Sequence, residues 1–289
     1  MTPAKTRFLY VLYIVGVAVF FIYWLFPDDA VRNYLSLRLK SFNPDLNLTL
    51  VQARPTFPPG LKLEKMRISV NNLPIVEMNE FKLKPAFSSL FSPGRTFLFQ
   101  GDLYGGTIAG RLDWGTEVPH RTVALNSTLS GIQVGGSAGL ERLTRRKISG
   151  VLGGSVYFEI KNGQTGAGSA GLNVTDCKIE IPPSVYGREH LSFKNISADI
   201  AAAGKNIRIK TCTLRGDQMD GKVEGSVELK TPVNKSVLNL SGAFRPHHQF
   251  LADLRKRLPI FFLSGQRDDN NEFPVQFSGT IDSPLFSLN

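Results

Sequence analysis

Metal-ligating and redox-active side chains are scarce in this chain, with two cysteines and four histidines among 289 residues. So few thiols exclude a disulfide-stapled scaffold and a cysteine-rich metal site. None of His120, His190, His247 and His248 stands at ligand spacing from another donor on a helix face, and the adjacent His247 and His248 would point to opposite sides of a strand. A phosphate-binding glycine loop ending in Lys-Ser/Thr is missing, and so is H-E-x-x-H. The glycine pairs Gly135-Gly136 and Gly153-Gly154 lack the βαβ context that a nucleotide site needs. Asp102, Asp113 and Glu117 are scattered and read as solvated strand and turn carboxylates rather than an acid/base pair. The expectation is a protein without catalytic residues, metal or cofactor.

Dense positive charge is the next thing lacking. The formal net charge is +10 and the pI about 9.7, yet basic residues cluster only at Arg142, Arg145, Arg146, Lys147 and at Arg255, Lys256, Arg257. Nucleic acid is therefore not an expected partner. A basic chain beside anionic headgroups is the simpler reading, each nearby Lys or Arg contributing roughly 1 kcal/mol of attraction.

What the chain does contain is one long apolar run, Phe8 to Phe26 (FLYVLYIVGVAVFFIYWLF), without a charge. At about 1.5 Å per residue it matches the roughly 30 Å hydrocarbon core as a helix. Tyr10 and Tyr13 near one end, and Tyr23 and Trp24 near the other, suit the interface. Lys5 and Arg7 before the run, and Asp28 and Asp29 after it, place the N-terminus in the cytoplasm and the rest outside. A cleaved signal peptide is the competing reading, but Trp24-Leu25-Phe26-Pro27 offers no small-x-small cleavage site. The expected division is a tail over 1–7, a transmembrane helix over 8–26, a juxtamembrane segment over 27–44 and a β domain over 45–289. In the juxtamembrane segment Val31, Tyr34, Leu35, Leu39 and Phe42 recur at helical spacing. Arg32, Arg38 and Lys40 lie between them as candidate membrane-surface residues. A second short amphipathic helix is expected within Phe250 to Phe262 (FLADLRKRLPIFF), capping the end of the sheet, with a place on the membrane surface as the alternative.

From Leu46 the apolar period changes to two, as in Leu46, Leu48 and Leu50 or Val223, Val227 and Leu229, which means strands with one wet face and mostly antiparallel pairing. Between Leu61 and Val70 the phase flips from Leu61 and Leu63 to Met66, Ile68 and Val70, so a bulge is expected near Glu64 and Lys65. A grammar G-x-[ILV]-x-G-x-[LV]-x-[apolar] recurs from Gly106 and Gly110, from Gly150 and Gly154, and from Gly221 and Gly225. The first glycine of each copy suits a tight turn, and the second lies in phase with apolar neighbours, where it permits bending or close backbone approach. The fold class expected is all-β: one N-terminal transmembrane helix, then a curved antiparallel sheet forming a groove or flattened open barrel, with a short amphipathic helix near each end.

The anchor, the glycine-punctuated strands and the ending Phe273-P-V-Q-F-S-G-T-I-D-S-P-L-F-S-L-Asn289 resemble the N component of bacterial type II secretion systems and, more distantly, AsmA-like envelope proteins. The first resemblance implies a single-pass inner-membrane protein with a periplasmic β domain, accessory to secretion and contacting other secretion or envelope proteins. The second implies a curved sheet whose apolar concave face holds lipid. An uncovered inner face would favour lipid and a filled one would favour scaffolding. Cys177 is in phase with Ile179 and Ile181, Cys212 with Leu214, so both face inward. An extracytoplasmic location would let them form a disulfide, and two buried free thiols are the alternative.

Overall fold

The computed structural model describes residues 3–42, 45–57, 59–70, 73–87, 89, 94–115, 122–161, 166–181, 190–250, 252 and 272–288. Two helices lead, α1 (Pro3–Trp24) and α2 (Asp28–Phe42), separated at Pro27. The strands β1 (Leu46–Thr49), β2 (Gln52–Thr56), β3 (Gly60–Val70), β4 (Leu73–Pro85), β5 (Arg95–Leu103), β6 (Gly106–Trp114) and β7 (Thr122–Gln133) follow. After the short α3 (Ala138–Thr144) come β8 (Ile148–Lys161), β9 (Ala167–Glu180), β10 (His190–Ala203), β11 (Asn206–Gly216), β12 (Met219–Glu228), β13 (Val237–Pro246), β14 (Phe273–Gly279) and β15 (Pro284–Leu288).

All fifteen strands form one antiparallel sheet in which neighbours in sequence are neighbours in space, the order expected where no helical crossover intervenes. β1 and β2 both pair with β3, so they make one edge strand broken at Leu50 and Val51. No pairing among the described residues joins this edge to β15, and the sheet stays open. At the expected place Lys65 has a left-handed φ of 50°, and Leu63 and Met66 both join the buried cluster, but the register with β4 is unbroken there and shifts instead between Ile68 and Ser69. Further register shifts break β7, β8, β10 and β11, each adding local twist.

One expected helix end-cap, within Phe250 to Phe262, lies almost wholly outside the described residues. The other is α2, whose Val31 and Leu35 pack on the sheet while Tyr34 and Leu37 are exposed, so Tyr34 does not share the buried stripe. Asp28 Oδ1 accepts the Ala53 N–H at 2.7 Å and the Tyr23 hydroxyl donates to the Thr56 carbonyl, fixing the α1–α2 corner to β2. The helix α1 covers 22 residues, and Phe8 to Ile14 and Val19 to Phe21 project outward. Side-chain placement in α1 is described for residues 7–14, 16–21 and 23–24. Over those described residues no helix is long and apolar enough to cross a membrane.

Candidate functional site: an uncovered apolar sheet face

Residues directly opposed across antiparallel strands share a face, so the register sorts the side chains into rows. One row runs Leu61, Leu83, Phe99, Gly110 and Ser127 through β3 to β7. It continues as Val156, Ala170, Ile200, Ile209, Gly225, Leu240 and Phe277 to β14. The adjacent row passes through Leu63, Phe81, Gly101, Ile108, Leu129 and Gly154 and ends at Val223, Gly242 and Val275. On the opposite face the corresponding row is polar, with Lys62, Lys82, Gln100, Thr128, Ser155, Asp199 and Thr211. The fold therefore presents one apolar face about a dozen strands wide.

That face is covered most fully at one end, and Phe99 on β5 and Phe273 and Val275 on β14 are buried as well. Ala53, Leu63, Met66 and Met78 are buried beneath Phe26, Val31 and Leu35. Across β8 to β13 the only buried apolar side chains among the described residues are Cys177 and Phe193, and the rest of the inward row is half-exposed. Inward positions alternate with exposed ones over much of β9, from Ala167 to Val174, and over Gly221 to Gly225 of β12, so the polarity pattern of a sheet core is present there without a covering layer among the described residues. The open face is the candidate site.

Glycine shapes it. Gly154 and Gly225 have φ of 143° and 137°, a region that side-chain-bearing residues rarely enter. A Cβ on Gly225 would lie 2.3 Å from the Asn239 carbonyl oxygen, one on Gly154 2.2 Å from that of Gly171, and one on Gly110 2.1 Å from that of Asn126. The second glycine of each repeat thus permits close backbone approach, as its phase implied. The first glycine corrects the sequence reading, because none is a turn residue. The β5–β6 turn is made by Tyr104 and Gly105, with φ of 45° and 77°, and Gly106 is already in the strand against the Gly131–Ile132 peptide. Gly150 sits at the β8 bulge, and Gly221 accommodates the Phe244 ring, 2.5 Å from where its Cβ would be.

The two cysteines do not form the expected disulfide. Cys177 on β9 faces Phe193 and Cys212 on β11 faces Ala198, so a whole strand and five residues along it separate them. At about 3.3 Å per residue that is far beyond the 7 Å limit for Cα atoms in a disulfide. Both thiols are free, and burial pushes both pKa values up, away from reactivity. Arg32 is engaged by Asp28 and Asp29 within α2, and Arg38 and Lys40 are exposed on that helix.

One motif escaped the sequence reading. Gly135-Gly136-Ser137-Ala138-Gly139 has the G-x-S-x-G spacing of a nucleophile elbow. Ser137 instead has an ordinary φ of −89° and caps α3, its Oγ accepting the Leu140 N–H at 3.3 Å. His190 lines the same surface cleft, but no hydrogen bond joins it to Ser137. Of the other titratable groups, His247 is the most engaged. Its Nε2 is 3.2 Å from Asp220 Oδ2, and that hydrogen bond raises the imidazole pKa against the effect of burial. Burial opposes ionisation of Asp220, yet His247 and the Gly216 N–H hold its carboxyl below the usual range. The pair ties β12 to the segment after β13, and Asp220 also lines a small cavity of about 200 Å³ together with Lys222, Arg245 and Glu272. No group of three or more His, Cys, Asp or Glu that could hold a metal occurs among the described residues.

Set beside family models, curated proteins and solved structures, the chain matches none of them.

Proposed function

We propose that this chain is a non-enzymatic, membrane-anchored lipid-binding module of the cell envelope, with α1 in the inner membrane and the sheet on the periplasmic side. The observation that carries the reading is the apolar face, continuous from β3 to β14 and without a covering layer over β8 to β13 among the described residues. Water-exposed apolar area of this extent is unfavourable at roughly 25 cal/mol per Å², and acyl chains would remove it from water. The corner at Asp28 and Ala53 supports the same reading, because it holds the closed end of the face beside the end of α1. Acyl chains would then enter the groove near the bilayer from which they come. The topology is open to a direct check. A reporter active only outside the cytoplasm, fused after Asn43, is expected to be active, and a silent but stable fusion would reverse the orientation.

A second reading, an accessory to type II secretion that contacts envelope proteins, is favoured by a separate feature. β15 is an outer strand of the sheet, and its Leu285 and Phe286 are 62% and 58% exposed, a surface suited to strand addition. Affinity purification of the full chain in mild detergent, with lipids and proteins identified by mass spectrometry, separates the two. The lipid reading expects phospholipid at about one or more molecules per chain. Recovery of stoichiometric envelope proteins with no retained lipid would replace it by the second reading.

A further inference from the structure

Among the described residues, the basic cluster at residues 142–147 is a charged motif that the apolar face does not absorb, and the cluster at 255–257 lies outside them. The fold places it at the rim of a cavity of about 970 Å³, a volume typical of sites for small amphiphiles. The cavity lies at the end of the apolar face, where Leu103, Ile132 and Leu152 form its floor and Leu140 of α3 one wall. Pro232 and Val233, from the β12–β13 connection, close the far side. Leu152 opposes Val174, which opposes Ile196 on β10, so the floor runs unbroken into the open face.

The rim is polar and carries two cations and two anions, Arg142 and Arg145 with Asp45 and Asp282. α3 is pressed against the start of β4, where a Cβ on Gly139 would lie 2.0 Å from the Pro74 carbonyl oxygen, and this fixes where its side chains emerge. Arg142 lines the mouth, is exposed, and makes no ion pair among the described residues. Arg145, held in a left-handed conformation at the end of α3, reaches Asp282 in the β14–β15 turn at 3.0 Å. That contact spans 137 positions of sequence and links the β7–β8 connection to the β14–β15 turn at the mouth of the cavity. Asp45 also lies at the mouth, and Arg146 and Lys147 continue the cluster beyond it.

We propose that this cavity takes one acyl chain of an anionic phospholipid, whose phosphate is bound by Arg142 and by Arg145, the latter in exchange for Asp282. The proposal rests on the lipid reading above and adds to it a headgroup preference and a place. An apolar floor alone would not discriminate headgroups. Guanidinium groups beside the phosphate favour a headgroup of net negative charge, because the phosphate of a choline lipid is already neutralised by its own quaternary ammonium, which the cations would also repel.

The test uses the full chain in dodecyl maltoside micelles containing phosphatidylglycerol with a photoactivatable diazirine on one acyl chain. The phosphatidylcholine analogue serves as comparison, and labelled peptides are mapped by mass spectrometry. Peptides containing Ile132, Leu152 and Val233 are expected to label about five-fold more with phosphatidylglycerol, in line with exposed charge pairs of modest strength. The Arg142→Gln/Arg145→Gln double variant should bring the two lipids to parity, and Arg111→Gln, on the polar face, should leave the preference intact. Asp282→Asn frees Arg145 and should strengthen it, a gain that a merely structural ion pair would not give. Equal labelling by both lipids in the unaltered chain, or a preference that survives the double variant, overturns the headgroup site and leaves the groove reading standing. Absence of label from the whole apolar face with either lipid overturns both.

Discussion

Gly225→Val is expected to lower the stability of the chain by about 2–6 kcal/mol, because two separate costs fall on one position. The φ of 137° is in a region that costs a residue with a Cβ about 1–3 kcal/mol. The added side chain would also start 2.3 Å from the Asn239 oxygen and 2.8 Å from the Leu240 Cα, which are backbone atoms of the paired strand and cannot rotate away. Overpacking of that kind adds roughly 1–3 kcal/mol. Spacing alone supports only the second cost, since φ leaves no mark in the residue pattern. Glu224→Val, one position along on the exposed face, is the matched comparison. It should be within about 0.5 kcal/mol of neutral, valine having the higher strand propensity. Thermal and urea unfolding of the full chain in mild detergent, followed by circular dichroism, measures both. An unchanged midpoint for Gly225→Val would mean that the sheet relaxes freely there and that the recurrent glycine has no geometric cause.

The features that were legible in the sequence are those set by nearest neighbours along the chain. Alternation in Val223 and Val227 marks β12, and the break in alternation between Leu63 and Met66 marks the left-handed backbone at Lys65, because both are read from a two-residue period. The amphipathic spacing of Val31 and Leu35 marks α2 for the same reason, although helical spacing does not settle how wide the buried stripe is, and Tyr34 falls outside it. The features that were not legible depend on which strands meet. Cys177 and Cys212 share an inward phase, but only the register shows five residues of β10 between their levels. The contact of Arg145 with Asp282 is of the same kind, since it depends on the twist accumulated over all the intervening strands. The turn at Tyr104 and Gly105 displaced Gly106 from the role its position suggested, because a two-residue hairpin needs positive φ at the two residues before it. Ser137 matched a catalytic spacing and proved to be a helix cap, which residue types alone do not distinguish.

The second large effect separates the closed part of the apolar face from the open part. Leu63 is 6% exposed, packed among Ala53, Met66 and Phe81 beneath α2, and Leu63→Ala should cost about 2–5 kcal/mol through lost burial and the cavity left behind. Ile209, on the neighbouring row and opposed by Ile200 and Gly225, is half-exposed and has no layer of described residues above it. Truncating it removes contacts to one side only, so Ile209→Ala should cost less than about 1.5 kcal/mol. The two variants should diverge the other way in ligand retention. Ile209→Ala is expected to reduce the phospholipid that copurifies with the full chain, whereas the folded fraction of Leu63→Ala should retain it, since Leu63 is already covered by protein. Unfolding midpoints and lipid-to-protein ratios on the same preparations give both readings. Equal destabilisation by the two substitutions would mean that the face over β8 to β13 is as filled as the end beneath α2, and the lipid reading would then lose the observation on which it rests.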